Sequence, residues 1–123
     1  MKILLVEDEP GTRAALSKLL RRAGAKVTPA GEGSEALRLL LDQQFDVLLT
    51  DLHMPGANMD GFGLLEQISR LPLGLRPRRT IAISGEYDRG VLQSLANQAT
   101  SVDFFPKPID LNHLLDTIGG VAH

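Results

Sequence analysis

Short apolar runs alternate with helix-period segments from one end of the chain to the other. The runs are Ile3–Val6, Val47–Leu49, Ile81–Ile83 and Val102–Phe105, with a weaker one at Ala25–Thr28. Three of them are solidly apolar or rich in β-branched residues rather than alternating, as in parallel strands covered on both faces. Between them, Ala15, Leu16, Leu19, Leu20 and Ala23 make one helical stripe, opposed by Arg13, Ser17, Lys18, Arg21 and Arg22, with Gly24 as the stop. Ser34 can cap a second helix that turns Leu37, Leu40 and Leu41 inward. A third runs from about Phe62 to Leu71 and ends at Pro72. A fourth carries Leu92, Leu95, Ala96 and Ala99. Asp110 can cap a fifth, with Leu111, Leu114, Leu115 and Ile118 on one face and Gly119-Gly120 after it. A strand followed by a helix, five times over, predicts an α/β fold. Its parallel sheet has right-handed crossovers and helices on both sides. With 123 residues, 43% of them hydrophobic, the chain suits one domain with one core.

The other signals mostly exclude. The chain has no cysteine, so disulfides and thiolate metal sites are out. A net charge of −2 gives no general affinity for nucleic acid or anionic lipid. The apolar run after Lys2 is too short for a signal-peptide core, and no run reaches the ~20 residues of a membrane helix. The expected location is the cytoplasm. Four arginines between Arg70 and Arg79 read as a solvated loop rather than a docking patch. Residues 71 to 79, with two prolines and a glycine, are the segment expected to move most.

Ligands of an open parallel sheet bind beyond the carboxyl ends of its strands. There the sequence places Glu7 and Asp8 after the first strand, Asp51 after the third, Ser84-Gly85 after the fourth and Lys107-Pro108 after the fifth. Three carboxylates, a hydroxyl and an ammonium would converge on one edge. Clustered carboxylates repel one another, and a hard divalent cation such as Mg2+ relieves this with oxygen ligands. A carboxylate beside such a cation and a lysine could accept a phosphoryl group. Singly, each residue has an ordinary explanation. Glu7 and Asp8 could favour a helix N-terminus, Asp51 or Ser84 could cap, and Lys107 could be a surface lysine. It is their joint placement that points to chemistry.

The segments "ILLVEDEP", "VLLTDLHMP…MDG", "IAISG" and "DFFPKP" together resemble the receiver domain of bacterial two-component response regulators. The likeness covers essentially the whole chain. It implies a flavodoxin-like (βα)5 three-layer α/β/α sandwich with the sheet in order 2-1-3-4-5. It implies Asp51 as the phosphoacceptor and Glu7 and Asp8 as the acidic pair that holds Mg2+. His53 would add only its backbone carbonyl to the metal. Ser84 would meet the arriving phosphoryl group, and Lys107 would pair with it from a cis Lys107-Pro108 bond. Phe104 would be the aromatic switch that turns inward. The phosphoryl group would come from a histidine kinase or a histidine phosphotransfer protein. The face of the fourth helix, fifth strand and fifth helix would then change its affinity for a downstream partner or a fused output domain. Catalysis would be limited to self-catalysed phosphotransfer and autodephosphorylation. No output domain, direct nucleic-acid binding or membrane association is implied by these residues, and a homodimer through the output face is left open.

The sequence also departs from that family's pattern. Met54-Pro55-Gly56-Ala57-Asn58-Met59-Asp60-Gly61 reads as two extra residues, at Ala57-Asn58. A tolerated loop insertion is the plainer meaning, altered phosphate loss or an altered partner footprint the sharper one. Glu7 replaces the commoner Asp, Phe104 the commoner Tyr and Gly85 the commoner Ala. Pro106 removes a backbone donor at the end of the fifth strand. Gly90 weakens the fourth helix by about 1 kcal/mol relative to Ala. Two rivals remain at this stage. One is a phosphatase using an aspartyl-phosphate, which needs an acid where His53 stands. The other is a degenerate receiver, or a flavin binder of similar fold, that acts only by binding.

Overall fold

A computed structural model of the chain describes residues 1–85 and 102–119. Five strands, β1 (Lys2–Val6), β2 (Lys26–Ala30), β3 (Val47–Asp51), β4 (Arg79–Ser84) and β5 (Val102–Pro106), form one sheet. All pair in parallel, in the order β2-β1-β3-β4-β5. The described helices are α1 (Pro10–Arg22), α2 (Gly33–Asp42), α3 (Gly61–Ser69) and α4 (Leu111–Gly119), the last being the helix predicted fifth. The predicted fourth helix, with Leu92, Leu95, Ala96, Ala99 and Gly90, lies outside the described residues, as does Gly120. Among the described residues, no helix is long and apolar enough to cross a membrane.

The apolar strands lack polar alternation because the sheet has a core on each face. Ile3, Leu5, Val47 and Leu49 point to one side, where Leu16 and Leu20 of α1 and Leu114 and Ile118 of α4 cover them. Leu4, Val6 and Leu48 point to the other, beneath Ala36 and Leu40 of α2 and Leu64 and Ile68 of α3. β2 accommodates Pro29 because it is an edge strand.

The helices differ from their predicted faces in detail. In α1, Ser17 is buried with Leu16 and Leu20, whereas Ala15 and Leu19 face solvent. The helix leans on β2, and the small Ser17 lets it approach. In α2 the N-cap is Glu32, not Ser34, whose hydroxyl instead donates to the Glu32 carboxylate. Leu41 is 55% exposed rather than inward, and Ala36 takes its place in the core. In α4 only Leu114 and Ile118 are buried, while Leu111 and Leu115 are exposed. Asp110 does cap it, accepting from the His113 amide at 3.1 Å.

The segment expected to move most has internal structure of its own. It forms a 3-10 turn at Leu73–Leu75. The Arg76 guanidinium donates to the carbonyls of Leu71 and Ser69, both at 2.8 Å. Gln44 Nε2 donates to the Gly74 carbonyl at 2.9 Å. The neighbouring arginines pair as well: Arg70 with Glu66 at 3.0 Å, Arg78 with Asp46 at 3.9 Å and Arg79 with Asp103 at 2.7 Å.

Candidate functional site at the carboxyl edge of the sheet

Strand register assembles the site. β1 and β3 align Val6 with Thr50, so the next residues, Glu7 just past β1 and Asp51 at the end of β3, stand side by side. β3 and β4 align Asp51 with Ile83, and β4 and β5 align Ser84 with Pro106. Ser84 and Lys107 therefore emerge just past Asp51 on its other side. The Lys107 amide continues this ladder, donating to the Ser84 carbonyl at 3.1 Å.

Asp51 is 2% exposed and has a donor at each oxygen. Lys107 Nζ lies 2.5 Å from Oδ2, a short, charge-assisted bond. The His53 amide donates to Oδ1 at 3.0 Å. Burial works to lower the Lys107 pKa, but the hydrogen bond and charge of Asp51, joined by Glu7 and Asp8, outweigh it and raise the value above 10.5. The Lys107-Pro108 bond is cis. The His53 imidazole is exposed and sits edge-on to Phe62, with ring centroids 5.4 Å apart.

Glu7 is the strained acid. It is 4% exposed, and its pKa is pushed from 4.5 to about 7. Burial is the largest cause; the Glu9 amide opposes it, and the Asp51 and Asp8 carboxylates add to it. Asp8, half-exposed, stands beside Glu7 at the mouth. Ser84 is buried at the end of β4. Phe104 is half-buried against a small cluster formed by Leu52, Leu65 and Ala82.

These donors fit a hard divalent cation. All the side chains are oxygen ligands, and one ammonium faces three carboxylates, one of which is driven toward its neutral form. Among the described residues no three His, Cys, Asp or Glu side chains form a ready-made metal cage. Mg2+ does not require one, since it keeps several waters and takes one or two carboxylates.

Several supporting residues escaped the sequence reading. A Cβ on Gly61 would lie 2.1 Å from the Asp51 carbonyl oxygen and 2.7 Å from Leu52 Cα. Only glycine lets α3 begin against the backbone of the acid. A Cβ on Gly33 would lie 2.8 Å from the Met59 carbonyl oxygen, which the Gly33 amide binds at 2.8 Å. Thr50, fully buried, donates its hydroxyl to the Asp51 carbonyl at 3.0 Å. Arg13, placed by periodicity on the outer face of α1, donates to the Glu7 carbonyl at 2.8 Å. A glycine directly after Met59-Asp60 was the one available signal for Gly61; the other contacts are long-range and leave no local pattern.

The inserted residues lie between two fixed points. Met54 is buried, and Gly56, with φ of +88°, turns the chain so that the Ala57 amide donates to the Met54 carbonyl at 3.1 Å. Ala57 and Met59 pack onto the α2–α3 core, and Asn58 is exposed.

Comparison with known proteins agrees with this architecture. The chain is 36% identical over 116 residues to the transcriptional activator protein PfeR of Pseudomonas aeruginosa, matching 92% of this chain and 35% of that protein. It is 29% identical over 123 residues to the sensory/regulatory protein RpfC of Xanthomonas campestris pv. campestris, matching 99% of this chain and 16% of that protein. It thus spans a minor part of either relative. The chemotaxis protein CheY4 of Vibrio cholerae superposes with a TM-score of 0.83 at 26% identity, covering 98% of this chain and 97% of that one. The model of the response regulator receiver domain matches residues 3–119. With that match over nearly all of its length, the chain belongs to the response regulator receiver domain family.

Proposed function

We propose that Asp51 is the phosphoacceptor of a two-component or phosphorelay system. The observation that carries this is the buried Asp51 carboxylate with Lys107 Nζ at 2.5 Å and Glu7 beside it. An Asp51 oxygen attacks phosphorus on a phosphohistidine. The new O–P bond forms as the N–P bond breaks, and its electron pair leaves on the imidazole nitrogen. Lys107 and the His53 amide hold the carboxylate for this attack. Glu7, Asp8 and Asp51, with the His53 carbonyl, would hold Mg2+. When bound, Mg2+ neutralises charge on the phosphoryl oxygens. Ser84, at the end of the neighbouring strand, donates to one of those oxygens. Phe104, half-buried beside Ala82, moves inward in response. The result is a shift between two conformations of the face that includes β5 and α4.

The donor is a histidine kinase or histidine phosphotransfer protein, and the recipient of the signal is a downstream protein or a fused output domain. Chemistry is confined to self-catalysed phosphotransfer and autodephosphorylation. The phosphatase rival needs an acid at position 53, where an exposed imidazole packs on Phe62 instead. Incubation with acetyl phosphate and Mg2+ should add one phosphoryl group, at Asp51, detected by intact-protein mass spectrometry. Labelling that persists in Asp51→Asn would overturn the assignment, as would labelling undiminished by a chelator for the metal's part.

A further inference from the structure

We propose that Arg13 is a positioning residue for the cation-binding acids, and that Gly31 leaves the space from which it acts. The inference rests on the reading of Glu7 and Asp8 as metal ligands. Glu7 is the first residue past β1, where ladder bonding gives out. Its amide still reaches the β2 end, donating to the Ala30 carbonyl at 3.0 Å. Its carbonyl instead receives Arg13 Nη1, at 2.8 Å.

That bond closes a ring. The Arg13 amide donates to the Glu9 carbonyl at 2.9 Å, so one residue of α1 binds both ends of the Glu7–Glu9 segment. Glu9 is fixed independently, since its carboxylate accepts from the Gly11 amide at 3.0 Å and the Thr12 amide at 2.5 Å. The Glu9 amide in turn donates to Glu7 Oε1 at 3.1 Å, which orients the buried carboxylate. Asp8 is carried between two held residues. Among the described residues the guanidinium is thus the only side-chain donor to the Glu7 backbone, and it comes from outside the segment.

Gly31 explains why an arginine fits there. It follows the last residue of β2, and a Cβ on it would lie 3.2 Å from Arg13 Nη1 and 3.9 Å from Cζ. A Cβ there would crowd the guanidinium tip, which would have to shift slightly from its place on the Glu7 carbonyl. A cation this near the acids also repels a metal, so two effects of opposite sign compete. Supporting groups behind metal ligands are typically worth 10–100-fold in affinity, and the closed ring makes orientation the larger effect here.

The test is Mg2+ binding, measured by calorimetry and by the Mg2+-induced rise in melting temperature. Arg13→Ala should bind Mg2+ about tenfold more weakly than wild type. Arg13→Lys, which keeps one donor, should recover most of the loss, and Gly31→Ala should show a smaller loss of the same sign. Unchanged or tighter binding by Arg13→Ala overturns the proposal. If Arg13→Ala does not fold, unchanged affinity in Gly31→Ala overturns it equally. Wild type that binds no Mg2+ overturns the metal reading itself, and the positioning role with it. A wild type that binds while Arg13→Ala binds equally well overturns the positioning role alone.

Discussion

At the scale of single residues, the site couples one favourable contact to one costly one. Lys107 stabilises Asp51, but among the described residues no ion pair serves the Glu7 carboxylate, which accepts only from the Glu9 amide. The Glu7 carboxyl holds a proton in the folded protein, up to about pH 7, that the unfolded chain releases near 4.5. Without metal, the contribution of Glu7 to stability is therefore greatest below about 4.5 and falls as pH rises toward 7. Lys107, with its pKa raised above 10.5, does not titrate in this window. Glu7→Gln in chelator should be more stable than wild type at pH 8 by roughly 1–3 kcal/mol, and nearly equal to it at pH 4.5. Urea unfolding at the two pH values measures this; a gain of the same size at both would remove the titration as its cause. Gly61 is constrained sterically instead. With a Cβ placed 2.1 Å from the Asp51 carbonyl oxygen, Gly61→Ala should cost about 3 kcal/mol or more and slow phosphorylation of Asp51. A stability loss below about 1 kcal/mol would mean that α3 can retreat at little cost.

At the scale of elements, helix starts show what local pattern conveys and what it hides. Asp60 and Asp110 cap α3 and α4 through their own side chains, a signal visible in the sequence. Asp60→Ala should cost about 1 kcal/mol in chemical unfolding. Ser34 looked like a cap of the same kind, yet the N-cap is Glu32, two residues earlier. Gly33 is drawn onto Met59 from a loop far along the chain. Ser34→Ala should then change stability by less than about 0.5 kcal/mol; a loss as large as that of Asp60→Ala would restore Ser34 as the cap. The strands were legible because a sheet with a core on each face demands unbroken apolar runs. The outward turn of Leu19 and Leu41 was not, because composition alone does not tell which side of a wide apolar stripe meets the sheet.

At the scale of the whole molecule, strand order places the five chemical positions on one edge, and that much followed from the sequence once the strand ends were located. The braces behind them, Arg13 onto Glu7 and Gly61 onto Asp51, depend on tertiary distances that no short motif records. A metal ligand that binds only the folded state should stabilise it. Millimolar Mg2+ should raise the melting temperature of wild type at pH 8 but not that of a Glu7→Gln, Asp8→Asn double variant, as scanning fluorimetry would show; equal shifts would move the metal elsewhere. The loop after Asp51 adds a different consequence. Its exit is pinned where Gly61 meets the Asp51 carbonyl, and Met59 is clasped by Gly33, so Pro55 to Asn58 form a span with both ends anchored. Lengthening such a span alters only slack, at an entropic cost that grows slowly with length. Loop length and acceptor geometry are then independently variable, and a reporter peptide spliced at the exposed Asn58, beyond the turn that Ala57 closes on Met54, would hang beside the reaction centre without disturbing it.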